Sequence, residues 1–110
     1  MQIFTTKEKD TLVLEVKGRL DAVTSPKLEE ESQAWIDQGE KAMVMDLGGV
    51  DYISSAGLRT ILSLARKLNG MGGKIRFCGL KGMVQEVFSI SGFTSLFPVF
   101  PSLTEALGHS

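Results

Sequence analysis

Leu12, Leu14 and Val16 recur at every second position, the period of a half-buried strand. Ile3–Lys7 and Leu12–Lys17 flank the polar Glu8-Lys9-Asp10, so the chain is predicted to open on a β-hairpin. Ser25-Pro26 then reads as a helix start, with Ser25 as N-cap and proline at the first helical position, where its missing N–H is not needed. Leu28, Trp35 and Ile36 share one face of that helix, and Gly39 supplies a left-handed stop. Glu29, Glu30 and Glu31 fall near the positive end of its dipole, as a solvated acidic face.

Ala42 to Leu47 runs apolar with little alternation, which suits a central strand covered on both sides and implies helices packed on the sheet. The clearest helical signal follows: Leu58, Ile61, Leu62, Ala65 and Leu68 repeat at helical spacing up to Asn69-Gly70. Gly72-Gly73 turns into a strand over Lys74–Cys78, and Met83, Val84, Val87 and Phe88 mark another helix up to Gly92. Leu96–Phe100 is predicted as a short edge strand, weakened by Pro98. Ser102 and Glu105 stand at capping-box spacing and open a last helix through Leu107. A hairpin followed by alternating helices and strands defines an α/β fold: a mixed sheet of four to five strands with an N-terminal hairpin and packed α-helices.

The chain has 110 residues, the length of one domain, so residues 1–110 are read as a single domain. With 43% hydrophobic and 23% charged residues it falls in the soluble globular class, and no apolar run is long enough for direct membrane insertion. A net charge of −1 gives no field to attract nucleic acid. The N-terminal residues go straight into the alternating pattern without a secretory signal, so a cytoplasmic location is expected. The single cysteine, Cys78, sits in an apolar strand and is assigned a packing role.

Catalysis and metal binding require converging polar groups, and few are present. His109 is the one histidine and lies in the tail. No zinc spacing, nucleophile–base pair or phosphate-binding glycine loop can be built, so no metal, no cofactor and no enzymatic activity are expected. Asp46 and Asp51 are read as turn and capping residues rather than an acid pair, and Gly48-Gly49 as a tight turn.

The segment Asp51-Tyr52-Ile53-Ser54-Ser55-Ala56-Gly57-Leu58 lies between the central strand and the most regular helix, where α/β sheets place functional groups. Tyr52 and Ile53 are apolar-leaning residues in an apparent loop, and two serines meet the unpaired N–H groups of a helix start. Gly57 costs up to ~1 kcal/mol relative to alanine in a helix, acceptable where another backbone approaches closely. Plain capping by the serines, helix packing by Gly57 and local core for Tyr52-Ile53 account for the same residues.

Here the sequence resembles the anti-sigma-factor antagonists, the bacterial members of the STAS domain class. The likeness rests on Gly18-Arg19-Leu20-Asp21, Ser54-Ser55-Ala56-Gly57-Leu58, Gly72-Gly73 and Phe88-Ser89-Ile90-Ser91-Gly92-Phe93. It implies a STAS fold and a partner-switching regulator that binds an anti-sigma-factor serine kinase when unphosphorylated. It also implies a phosphatase that acts on the phosphoserine. Ser55 matches the family's phosphorylated position, two residues before the glycine. Many members carry aspartate where this chain has Ser54, which leaves Ser54 as second candidate. Asp21 matches an acidic position that helps engage the kinase, while its local reading is a cap for the turn before the first helix. The resemblance thus implies a partner-binding surface of Asp21 and Tyr52 through Leu58. STAS domains also occur in membrane transport assemblies, so a transporter subunit without a phosphate switch is the alternative.

Overall fold

The computed structural model describes residues 1–108; His109 lies outside the described residues. Five strands lie in the order β1-β2-β3-β4-β5. β1 (Gln2–Glu8) and β2 (Thr11–Leu20) form the antiparallel hairpin. β3 (Ala42–Ile53), β4 (Lys74–Cys78) and β5 (Val99–Phe100) follow in parallel, each beside its predecessor. α1 (Ser25–Asp37) and α2 (Ser55–Gly70) make the first two crossovers, and α3 (Gly82–Ile90) with the short α4 (Phe93–Leu96) makes the third. This is the mixed α/β sheet that the alternation of elements implies.

Leu12, Leu14 and Val16 of β2 and Met43, Met45 and Leu47 of β3 point to one face. They are fully buried there with Leu28 of α1, Ile61 and Leu68 of α2, and Phe88 of α3. Val13, Val44 and Cys78 point the other way and are covered by Ala106 of α5 (Leu103–Gly108). Coverage on both sides explains the weak alternation of β3. Phe77, Phe88, Phe93 and Phe97 close a ring of edge-to-face contacts with centroids 5.3–5.6 Å apart, which anchors α3 and α4 to β4.

Four local expectations change. Gly48-Gly49 is not a turn: β3 runs through it to Ile53. Glu15 pairs with Asp46 but Lys17 with Gly49, and Gly18 pairs with Val50 but Arg19 with Tyr52, so β3 carries an extra residue twice. These are bulges, which a sequence cannot distinguish from a turn without the partner strand's register. Asp46 Oδ1 accepts from the Gly48 N–H at 2.9 Å and satisfies a donor at the first bulge. The final strand is only Val99–Phe100, because Phe93 and Phe97 enter the aromatic ring and Phe93–Leu96 turns as α4 after Gly92 at φ 80°. At α1 the N-cap is Thr24, without a side-chain cap bond. Ser25 is already helical, and its Oγ donates to the Asp21 carbonyl at 2.5 Å. With the helix starting at Ser25, Glu29–Glu31 lie beyond its first turn, where the dipole has faded. The Ser102 cap holds, its Oγ accepting from the Glu105 N–H at 3.2 Å.

Cys78 is wholly buried, and burial, with the nearby Asp46 charge second, pushes its thiol up to about 12 from an ordinary 9.0. The folded state thus favours the neutral thiol. Its contribution is complete below pH 9.0 and declines as pH rises toward 12, because the unfolded thiol ionises first. Native protein at pH 8 should react with a thiol reagent only on unfolding. Between pH 9 and 11, wild-type stability should fall more steeply than that of Cys78→Ala, by up to ~1.4 kcal/mol per pH unit. Denaturant melts across that range measure the difference, and equal slopes would contradict the buried neutral thiol.

Candidate functional site

β2 and β3 end side by side, with Leu20 opposite Ile53. Beyond that pair the chains diverge, β2 into the Asp21–Thr24 loop and β3 into α2. The Ser54 N–H donates to the Leu20 carbonyl at 2.9 Å, extending the ladder by one bond at the helix entrance. Ser54 keeps an extended backbone, φ −96° and ψ 172°, and its Oγ accepts from the Gly57 N–H at 3.2 Å. It is the N-cap of α2. Ser55 is the first helical residue, and among the described residues its exposed hydroxyl makes no hydrogen bond. The two serines therefore divide the roles: Ser54 caps and Ser55 is free.

Gly57 explains why α2 can begin this close to β2. A Cβ there would stand 2.7 Å from the Leu20 carbonyl oxygen and 2.9 Å from Leu20 Cγ. The carbonyl belongs to the ladder and cannot yield like a flexible side-chain end. The glycine is a close-approach residue, which outweighs its poor helix propensity.

On the other side, Asp21 Oδ1 accepts from the N–H groups of Val23 and Thr24 at 3.0 and 3.1 Å. Its Oδ2 lies 3.5 Å from Arg19 Nε. The Thr24 N–H is the largest influence holding the Asp21 carboxyl below its ordinary value of 3.8; partial burial opposes it, and the Val23 N–H and Arg19 assist. The Arg19 guanidinium stacks 4.1 Å from the Tyr52 ring centroid. Asp21, Arg19 and Tyr52 form one polar–aromatic surface beside the start of α2. The turn-capping reading of Asp21 is thus realised in the fold, and the half-buried carboxylate still has an accessible side.

Tyr52 and Ile53 belong to β3 rather than a loop. Ile53 and Gly57 are buried, so within the segment singled out by sequence they place the others rather than face a partner. Ser55 is exposed, and Asp21, Tyr52, Ser54, Ala56 and Leu58 are half-buried. Two features escape the sequence reading. Val23 is 86% exposed next to Asp21, an apolar side chain held out by a fixed turn. A shallow groove between α1 and α2 is lined by Ala22, Pro26, Glu29, Ala56, Arg59 and Ser63. Val23 was discoverable as an apolar residue among turn formers; the groove depends on how α1 and α2 pack. Among the described residues, no group of three or more His, Cys, Asp or Glu is placed to hold a metal.

A β-hairpin followed by parallel strands, with a capped helix at the β3 terminus, is the architecture of a small mixed-sheet α/β domain. The STAS domain family model matches residues 2–106, and the chain belongs to that family, in its anti-sigma factor antagonist group. The chain is 43% identical over 99 residues to the "Putative anti-sigma factor antagonist BtrV" of Bordetella bronchiseptica, covering 90% of this chain and 85% of that protein. The crystal structure of an anti-sigma factor antagonist from Mycobacterium paratuberculosis superposes with a TM-score of 0.88 at 27% identity, over 97% of this chain and 91% of that one. The Bacillus cell fate determinant SpoIIAA in its phosphorylated form shares the fold, with a TM-score of 0.77 at 18% identity over 97% of each chain.

Gly57→Ala should lose ~1–3 kcal/mol of stability despite alanine's better helix propensity, because its Cβ meets backbone. A stabilised variant in urea melts would contradict the close approach. Asp21 has a lowered folded-state pKa, so its contribution is present above pH 3.8 and disappears as pH falls through the lower folded value. Asp21→Asn should accordingly flatten the acid limb of the stability curve; a limb parallel to wild type would show that these hydrogen bonds do not favour the charged form.

Proposed function

We propose that this chain, acting as one STAS domain over residues 1–110, is a non-enzymatic, cytoplasmic partner-switching antagonist. Unphosphorylated, it binds an anti-sigma-factor serine kinase through the surface formed by Asp21, Val23, Tyr52 and the exposed start of α2. Phosphorylation of Ser55 by that kinase releases it, and a phosphatase acting on the phosphoserine restores binding. The observation that carries this reading is the division of roles between the serines: Ser54 is committed to the cap, whereas Ser55 presents an unengaged hydroxyl. Its family supplies the partner class, and its solved fold includes a phosphorylated form in a Bacillus relative.

The switch has a simple physical basis. A phosphate brings roughly −1.5 to −2 charges and three acceptor oxygens. At Ser55 it stands in the first turn of α2, where the helix dipole favours an anion, so the fold survives. A partner surface fitted to a neutral hydroxyl would have to desolvate that dianion, and binding is lost.

Because Ser54 is the cap, substitutions at the two serines should separate stability from switching. Ser54→Ala should lower stability by ~1 kcal/mol, while Ser55→Ala should stay within ~0.5 kcal/mol of wild type and bind constitutively. This corrects the expectation that Ser55 itself contributes a cap. Ser55→Asp should fold normally and bind poorly. Asp21→Ala should weaken kinase capture by about tenfold or more. Affinity and melting measurements on these variants, with mass-spectrometric mapping after incubation with ATP and an anti-sigma-factor serine kinase that captures the chain, test the set. Phosphate on Ser54 alone would move the site; no phosphate on either serine, with Ser55→Asp binding normally, would favour a transport-assembly subunit.

A further inference from the structure

Ser55 and Arg59 are both exposed on α2, four residues apart. That spacing puts them ~40° apart around the helix, one turn along, with Cβ atoms within about 6 Å. Among the described residues Arg59 has no ion pair or hydrogen bond. Of the cations nearby, Arg19 is committed to Tyr52 and Asp21, while Arg66 and Lys67 lie about two turns further along α2 in a hollow that Arg59 also lines, and Lys67 donates to Gln33 Oε1. The surrounding elements contribute carboxylates: Glu29 of α1 across the groove, Asp21 of the loop after β2, and Asp51 near the end of β3. Among the described residues, an unmodified chain therefore holds a guanidinium without a polar partner one helical turn from a hydroxyl without one.

We propose that Arg59 is the intramolecular receiver of a phosphate on Ser55. This inference rests on the phosphorylation reading above and deepens it by assigning the residue that stabilises the released state. A guanidinium one turn beyond the phosphoserine can donate two N–H groups to phosphate oxygens, in the favourable order of acid before base along a helix. The pairing also discriminates between the serines. Ser54 lies outside the helix as its cap, and an offset of five residues would put it ~140° from Arg59. Arg59 is thus a positioning residue for one modification site and not its neighbour. Bound in cis, the phosphate is held toward Arg59, which lines the α1–α2 groove.

The direct test is a phosphorus NMR titration of the full chain with phosphoserine installed at position 55 by genetic encoding, which needs no kinase or partner. The second ionisation of phosphoserine ordinarily falls near pH 6. In Arg59→Gln its midpoint should rise by roughly 0.2–0.4 pH unit relative to the wild-type sequence, and Arg59→Lys should recover most of that change. In a chain carrying phosphoserine at 54, Arg59→Gln should leave the midpoint unmoved. A midpoint at position 55 indifferent to Arg59→Gln, or an equal response at 54, overturns the assignment. Circular dichroism on the same samples separates loss of the fold from loss of the pair. Since no partner is present, a phosphorylated chain that still binds the kinase would refute the switch without altering this result.

Discussion

The hydrogen bond from the Ser54 N–H to the Leu20 carbonyl is the constraint on which the functional end of the molecule depends. It continues the β2–β3 ladder past the last strand pair and fixes where α2 starts. Gly57 packs on the same carbonyl, with no room for a Cβ. Residues distant in sequence are brought together by this junction: Asp21 follows Leu20, and Ser55 follows Ser54. Its donor and acceptor are backbone groups, buried side chains support it, and no partner is needed to form it.

That rigidity separates recognition from folding. Ile53, Leu20 and Gly57 are buried and hold the junction, while Ser55, Val23 and the open side of Asp21 face outward. On the proposed reading, a charge added to the outer set changes what a partner meets while leaving the packed set intact. The adjacent serines show the same separation within two residues, because one hydroxyl is used by the helix N-terminus and the other is not. The Ser54 hydroxyl contributes to the helix start, whereas the Ser55 hydroxyl makes no hydrogen bond among the described residues, so a change at Ser55 leaves the cap in place.

Much of this was legible in the sequence because local pattern and tertiary burial agree. The period-2 apolar positions of β2 and the helical repeat from Leu58 to Leu68 face the core that the periodicity implies. Glycine and polar clusters marked most of the boundaries. What failed to show depends on nonlocal geometry. The bulges in β3 exist only relative to β2's register, so Gly48-Gly49 looked like a turn and Tyr52-Ile53 like a loop. Which serine caps α2 depends on the backbone angles at Ser54, which two adjacent serines cannot reveal. The strand expected from Leu96 begins only at Val99, because Leu96 ends the short helix α4 and Phe97 packs into the aromatic ring.

The central claim is that one added phosphate changes association without changing the fold. Its most direct measurement compares the kinase affinity and the melting temperature of unmodified chain with those of chain carrying phosphate on Ser55 only. A switch from mostly bound to mostly free at fixed concentration requires roughly a 10⁴-fold difference in affinity. The account predicts a loss of that order with a nearly unchanged melting temperature. Affinities within tenfold of each other, or an affinity loss accompanied by a collapse in melting temperature, would contradict it.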